Sequence, residues 1–326
     1  MDTGARSLEF AEVKMTKAGA SAAACPSCGD SRVKKVGVIP DVASFAGRSL
    51  EQPLPGGFLY RCRSCGLGYR HPRQSRDRLN ELYQSGDNDA WSTPEGEVRN
   101  DWIIATNWIR GHGRPGSVLD VGCLQGDFLV SIGSEHTLYG LEMHRDAAQA
   151  AQKRGVTIVG SDFYELGTLE AKYDWVVAFD VIEHSDDPRE FLRQLASKCK
   201  PRGHVIISTG NIEASSWRLM GSRYWYCTIA EHLAFISPAW CASVAAHCGL
   251  RLVRHCEFSH NPSSIANRAS QLLKNVFYRV APSAAAWARS AGFGKENVAT
   301  LPALRFLPPK WDCARDHFIA LFCVES

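Results

Sequence analysis

The segment Val118–Phe128, VLDVGCLQGDF, constrains the fold of this chain more than any other. An apolar run carries one carboxylate, Asp120, and passes directly into a tight turn with glycines at 122 and 126. A second apolar run, Thr137–Leu141, ends on Glu142, 22 positions after Asp120. Strand, glycine turn, helix and a second strand closing on an acid form a layout that cradles a nucleoside. Glycine lets the backbone approach the ligand, and the second-strand acid takes ribose hydroxyls.

The pattern downstream extends this unit. Strands are expected at 117–121, 137–141, 156–159, 174–179 and 204–208, with helices at 126–133, 145–154 and 188–199. Pro188 opens the last of these helices and Pro201-Arg-Gly203 stops it. Such alternation argues for a parallel sheet wound on both faces. Ser237-Pro238 starts another helix running to about His247, and strands follow at Leu250–Phe258 and Phe318–Val324. Upstream, Trp102, Ile103, Ile104, Trp108 and Ile109 mark an amphipathic helix, while 72–100 reads as a polar helix and a loop striped by Leu79, Leu82 and Tyr83.

Residues 262–310 interrupt the alternation. Ile265, Ala269, Leu272, Leu273, Val276, Phe277 and Val280 recur at helical spacing, with Arg268, Lys274 and Arg279 on other faces. The primary expectation is a core-packing helix inserted before the last strand; a lid over a substrate and a basic helix touching a membrane surface are the other readings.

Twelve cysteines divide into two groups. Cys25-Pro-Ser-Cys28-Gly and Cys62-Arg-Ser-Cys65-Gly have the form of the two knuckles of a zinc ribbon, each turn presenting two thiolates to a tetrahedral ion. The 33 residues between the pairs exceed a usual ribbon spacing, so a loop or extra hairpin must fill 36–57. The eight remaining cysteines are scattered singly, which with no signal sequence fits a reducing cytoplasm better than a disulfide framework. Residues 1–24 read as a disordered lead-in, 25–78 as the ribbon and 79–326 as the main domain. The fold class is therefore α/β: a doubly wound, mostly parallel seven-stranded sheet with a small N-terminal zinc ribbon and a helical insertion at about 262–310.

Charge narrows the partners. A net +3 over 326 residues is too small to imply nucleic-acid binding, and DNA is excluded as a partner. Between residues 25 and 78, however, ten Arg/Lys face four Asp/Glu. No apolar run approaches the roughly 20 residues of a membrane span, so membrane contact is peripheral at most.

Taken in order, the motifs resemble class I S-adenosylmethionine-dependent methyltransferases over about 100–325: Val118–Phe128, Gly140-Leu-Glu142, Gly160-Ser-Asp162-Phe163, Tyr173 to His184, and Lys200 to Ile207. The resemblance implies that the turn from Asp120 through Gly122 and Cys123 to Gly126 passes under the methionine part of the cofactor. By the same likeness Glu142 takes the ribose, Asp162 and Phe163 meet the adenine, and Asp180 sits beside the methionine end. Leu124 departs from the family, which often has glycine there, and a side chain at that point narrows the space beside the cofactor. Chemistry also favours S-adenosylmethionine over a dinucleotide, because Asp120 and Asp127 flanking the turn repel a pyrophosphate and tolerate a sulfonium.

Methyl transfer to a hydroxyl needs alignment and a base. His184, Glu183 and His232 are the catalytic candidates, from the pairs Glu183-His184 and Glu231-His232. The arrangement Asp180-x-x-Glu183-His184 is also similar to that of ubiquinone-biosynthesis O-methyltransferases, where such residues can hold a divalent metal, which makes Mg²⁺ a possible cofactor beside structural zinc. A zinc ribbon ahead of such a domain resembles methyltransferases of sugar, polysaccharide and natural-product tailoring. That implies O-methylation of a sugar or lipid-linked glycan precursor bearing an anionic handle, with Tyr224, Trp225 and Tyr226 either stacking on the acceptor or forming core. Two alternatives stand beside it: a zinc-ribbon RNA base methyltransferase, disfavoured by Asp180-Val-Ile-Glu where an Asn/Asp-Pro-Pro-Tyr/Phe motif would be needed, and a non-catalytic cofactor-binding partner protein.

Overall fold

The computed structural model describes residues 24–84, 86, 99–261, 263–291 and 306–325. The lead-in at 1–23, most of the loop at 85–98 and the later part of the 262–310 insertion lie outside the described residues.

The N-terminal module is built from Val33–Val38 (β1), Val42–Phe45 (β2), Arg48–Leu54 (β3), Phe58–Cys62 (β4) and Gly68–His71 (β5), followed by Arg76–Gln84 (α1). β2 and β3 pair antiparallel as a separate hairpin, the extra element that the long spacing between the cysteine pairs requires. The other three strands form a sheet in the order β1-β4-β5, extended by a short strand from far along the chain, Ala234–Phe235 (β11). Ribbon and main domain also share apolar packing. Cys25, Cys62, Leu67 and Tyr69 belong to the same buried cluster as Val176, Val205 and Phe318.

Asn100–Gly111 (α2) leads into the central sheet. Its strands are Ser117–Val121 (β6), Thr137–Leu141 (β7), Thr157–Gly160 (β8), Tyr173–Phe179 (β9), Cys199–Gly210 (β10), Leu250–Phe258 (β12) and His317–Val324 (β13). They lie in the order β12-β13-β10-β9-β6-β7-β8, parallel except for β13, which runs antiparallel to both of its neighbours. Asp127–Ile132 (α3), Arg145–Lys153 (α4) and Pro188–Ser197 (α5) are the crossovers. Alternate residues of the central strands bury on opposite faces: Leu119, Val121, Val176, Ala178, Val205 and Ile207 on one, Val118, Trp175, Val177 and Ile206 on the other. Two buried faces are what a doubly wound parallel sheet demands, and they explain why these strands are nearly continuous apolar runs.

β10 extends well beyond the expected 204–208. The Pro201-Arg-Gly203 stretch distorts the strand rather than delimiting it, with a register shift between Cys199 and His204. After β10 come Ser215–Met220 (α6) and Pro238–Val244 (α7), the latter capped by the Ser237 hydroxyl, which accepts from Trp240 N at 3.1 Å. The insertion contains Ile265–Val280 (α8) and Pro282–Ser290 (α9). Its helical period is as expected, but its burial is not. Ile265, Leu273 and Val280 are exposed, and the buried positions are Asn275 and Tyr278, so the apolar stripe of α8 faces away from the described core. Among the described residues no helix is long and apolar enough to cross a membrane.

Candidate active site

Strand order reverses between β6 and β9, so the loops leaving their carboxyl ends diverge and open a crevice. A cavity of about 350 Å³ occupies it. Gly122 forms its floor at φ 81°, where an added Cβ would meet Val181 Cγ2 at 2.9 Å. Glu142 reaches in from the end of β7. Its carboxylate accepts from Leu124 N at 2.9 Å and His144 N at 2.7 Å, which ties the glycine turn to the second strand. Asp162 and Phe163 line the far end, with Asp162 accepting from Tyr164 N at 2.9 Å. Leu124 also lines the cavity and holds φ 48°, a left-handed backbone that costs a branched side chain about 1 kcal/mol.

Three of the residues read from the sequence stand behind this surface. Asp120 lies buried beneath the turn, with Oδ1 lacking a hydrogen-bond partner. Burial first, then the Glu142 charge, raises its carboxyl to about 8. Cys123 packs into the lower core against Gly140, whose missing side chain leaves room for the sulfur. Gly126, at φ 79°, lets α3 start close to Ala151 of α4.

A second cavity, of about 520 Å³, adjoins the first, and Asp180 and His184 line both. The walls of this second cavity come from distant parts of the chain. Val42, Ser44 and Ala46 of the ribbon hairpin form one side, fastened by Ala46 N donating to Glu231 Oε1 at 2.7 Å. Trp225, Tyr226, Glu231 and His232 come from the segment after α6, and Lys310 and His317 from the approach to β13. Of the three aromatics at 224–226, Tyr224 is core while Trp225 and Tyr226 line the cavity.

Electrostatics differ sharply among the candidate groups. His184 shares a hydrogen bond with Tyr83 OH through Nδ1 at 2.7 Å, and burial pushes its pKa down to about 4. His232 contacts the Tyr226 carbonyl through Nδ1 at 3.2 Å; burial, then the neighbouring His184, keeps it well below the usual imidazole range. Glu183 is fully buried and takes a short hydrogen bond from Tyr226 OH; burial, then Asp180, raises it to about 8. Burial alone would raise Asp180, yet the Arg99 guanidinium at 2.5 Å outweighs it and holds the carboxyl below its ordinary range. Arg99 itself is braced by Asp101 at 2.6 Å, and Asp101 accepts from Ser208 Oγ. Arg99, Lys310, His260, Asp316 and His317 carry no signal in the sequence, and Tyr83, expected only in the apolar stripe of its helix, bonds to His184. Apart from the adjacent pair Asp316-His317 they are far apart in sequence, and only chain folding brings them to the site.

The four knuckle cysteines converge on one point. Their sulfurs all lie within 4.8 Å of one another, with Cys25–Cys65 and Cys28–Cys62 each at 3.6 Å. Four thiolates about 2.3 Å from a tetrahedral zinc would stand roughly 3.8 Å apart, so the quartet fits a closed structural zinc site. The donors near Asp180 fit Mg²⁺ less well. Glu183, His184 and His232 form one cluster and Asp180, His260 and His317 another, each with two imidazoles to one carboxylate, whereas Mg²⁺ prefers an all-oxygen octahedron.

Residues 100–255 match the family model described as a methyltransferase domain. Together with the strand order, this gives the chain a Rossmann-like methyltransferase fold behind a four-cysteine module. Among curated relatives, a ubiquinone biosynthesis O-methyltransferase of Vibrio parahaemolyticus is 31% identical over 136 residues, 37% of this chain and 58% of that protein. One of Ralstonia nicotianae is 28% identical over 179 residues, 51% of this chain and 74% of that protein. Several others are matched over about half of their length. A solved structure titled a putative sarcosine dimethylglycine methyltransferase from Galdieria sulphuraria aligns over 76% of this chain and 98% of its own, at 16% identity and TM-score 0.46. That likeness is too loose to carry an argument.

Proposed function

We propose that this protein is an S-adenosylmethionine-dependent O-methyltransferase acting on a hydroxyl of a sugar or glycan precursor. The observation that carries this reading is the pair of cavities meeting at Asp180 and His184: one with a nucleoside-type lining, one walled by aromatic and polar side chains. The smaller cavity takes the cofactor. Glu142 accepts the ribose hydroxyls, Asp162 and Phe163 flank the adenine, and Asp120 places negative charge under the methionine part. The sulfonium methyl then points across Asp180 into the larger cavity.

Transfer there is a displacement in line. The acceptor oxygen bonds to the methyl carbon as the carbon–sulfur bond breaks, sulfur leaves as a neutral thioether, and the hydroxyl proton passes to a base. His184 is our assignment for that base, since it lies on the shared wall and its depressed pKa keeps it unprotonated near neutrality. His232 stands behind it as a proton relay, with ring centroids 5.1 Å apart. Glu183, held by Tyr226, orients this pair rather than accepting the proton itself.

Support for the acceptor class comes from Trp225 and Tyr226, whose faces suit a sugar ring, and from Lys310, which suits an anionic handle such as a diphosphate. The named activity of the curated relatives supports oxygen as the acceptor atom. Zinc held by Cys25, Cys28, Cys62 and Cys65 would fix the ribbon and with it the hairpin wall. All twelve cysteines are free of disulfides, which agrees with a reducing, cytoplasmic setting.

A labelled methyl-donor assay against nucleotide sugars and lipid-linked saccharides tests the proposal. Label transferred to a saccharide hydroxyl is the expected result; transfer to RNA alone would favour the nucleic-acid reading and end this one.

A further inference from the structure

Three strands of the central sheet, β9, β12 and β13, deliver metal-binding side chains to one spot at the same end of the sheet. Asp180 follows the last residue of β9. His317 opens β13, paired with Gly210 at the end of β10, and β10 lies beside β9. His260 stands two residues beyond β12, whose last residue, Phe258, pairs with His317. Strand register thus holds the three positions together, and their ligand atoms lie within 4.8 Å of one another.

We propose that Asp180, His260 and His317 form a binding site for a divalent first-row transition metal, open toward the larger cavity. Each ligand carries a structural sign of that role. Asp180 commits Oδ2 to Arg99, while Oδ1 is buried with no hydrogen-bond partner. His317 is fully enclosed, and its Nδ1 is engaged by Asp316 Oδ1 at 2.9 Å, which leaves Nε2 as the donor. A carboxylate behind a ligating imidazole fixes its tautomer and orientation, the usual support for a metal-bound histidine. Asp316 is itself anchored through Oδ2 by Tyr224 OH and by Trp225 Nε1 at 3.3 Å. The His260 ring lies 4.1 Å from that of His317, on the cavity side.

Charge points the same way. Asp101 and Asp180 share a single guanidinium, Arg99, and Asp101 is completely buried, while the buried Asp316 faces the His317 imidazole. A dication offsets the surplus of carboxylates that one arginine leaves. Two imidazoles and one carboxylate with open positions select Mn²⁺, Fe²⁺, Co²⁺ or Zn²⁺ over Mg²⁺. Lining both cavities, Asp180 would place the ion where the acceptor oxygen meets the methyl group, so that the oxygen binds as a ligand and becomes more acidic. Only this role rests on the methyltransferase reading; the binding site does not.

The test is cobalt(II) titration of the full-length metal-depleted protein, followed by visible absorption, with S-adenosylhomocysteine calorimetry on the same sample. One equivalent with thiolate-to-cobalt charge transfer belongs to the cysteines. A second equivalent without that band is expected, lost in both His260→Ala and His317→Ala, and weakened about 10–100-fold in Asp316→Asn. His260 lies half-buried in the turn beyond β12, so its variant keeps the test sound should His317→Ala fail to fold. Absence of a second equivalent overturns the site. So does its persistence in His260→Ala, which would put the ion in the neighbouring Glu183–His184–His232 cluster or on the surface. Cofactor-product binding without a second metal defeats this inference alone, whereas a second metal without cofactor-product binding defeats the methyltransferase reading alone.

Discussion

The donor and acceptor cavities share Asp180 and His184 but differ in how the chain assembles them. Most of the donor cavity comes from the ends of β6, β7, β8 and β9 and the turns that follow, a run of about 65 residues, with Leu79, Asn80 and Tyr83 of α1 and Arg99 completing its wall. Its acceptor neighbour draws on the ribbon hairpin at 42–47, the loop after α6 and the approach to β13, segments spread over most of the chain. A motif can specify the first because neighbouring strands fix it locally. The second exists only after the ribbon, the sheet edge and the insertion have docked, so its stability and specificity depend on long-range packing.

The comparison breaks most visibly if the ribbon is dismantled. A structural zinc site contributes on the order of 10 kcal/mol to a small module, so Cys62→Ser should melt the ribbon and loosen the hairpin wall. The expected result is at least a roughly 100-fold loss of turnover, with cofactor-product affinity held within about threefold in calorimetry, since no ribbon strand lines the donor cavity. An equal loss of both would mean that the cavities are one cooperative unit.

Glu142→Ala attacks the donor side alone. It removes hydrogen bonds from Leu124 N and His144 N as well as those offered to the ribose. With hydrogen bonds to charged groups worth about 1.5–3 kcal/mol, cofactor-product affinity should fall roughly 10–100-fold, while turnover at saturating donor changes little. A drop in turnover with unchanged affinity would reverse the assignment.

Asp120 sharpens the contrast through pH. Its carboxyl is raised from 3.8 to about 8, so the folded protein retains a proton that the unfolded chain gives up. The stability this group contributes is complete below about pH 4 and is lost as pH rises toward 8. Asp120→Asn should therefore flatten the pH dependence of the melting temperature across that window. A cationic ligand above the turn favours the charged carboxylate, so cofactor binding near pH 7 should release protons, measurable as a buffer-dependent heat. Proton uptake would contradict the placement of the methionine group.

Leu124→Gly is the mildest change. Relief of the left-handed strain at φ 48°, about 1 kcal/mol, is offset by glycine's larger unfolded-state entropy, so the melting temperature should move little. The widened floor should raise donor affinity a few-fold, and a weaker affinity would show that the leucine packs on the cofactor.

How much of this was readable from the residues follows the same division. Most strand and helix positions from 117 to 258 matched within a few residues, because two buried faces force apolar runs in the strands. β10 was drawn too short, since its distorted first half carries Pro201 and Gly203, residues that usually end elements rather than bend them. The α8 stripe had the right period and the wrong destination; periodicity fixes which residues share a face, not what the face meets. His260, Asp316 and His317 were invisible for a different reason. They are isolated in sequence, and only the pairing of Phe258 with His317 and the turn after β9 bring them beside Asp180. The depth of Glu183 was equally hidden: burial, then the Asp180 charge, raises its carboxyl to about 8 while Tyr226 OH donates to it, and none of these partners is adjacent in sequence.

Calorimetric titration of the intact protein with S-adenosylhomocysteine puts the most direct question to the donor cavity. One molecule bound per chain, displaced by S-adenosylmethionine and sharply weakened in Glu142→Ala, is the predicted outcome. No heat of binding at millimolar ligand from a protein that melts cooperatively would mean that the space between Gly122 and Asp180 holds something else.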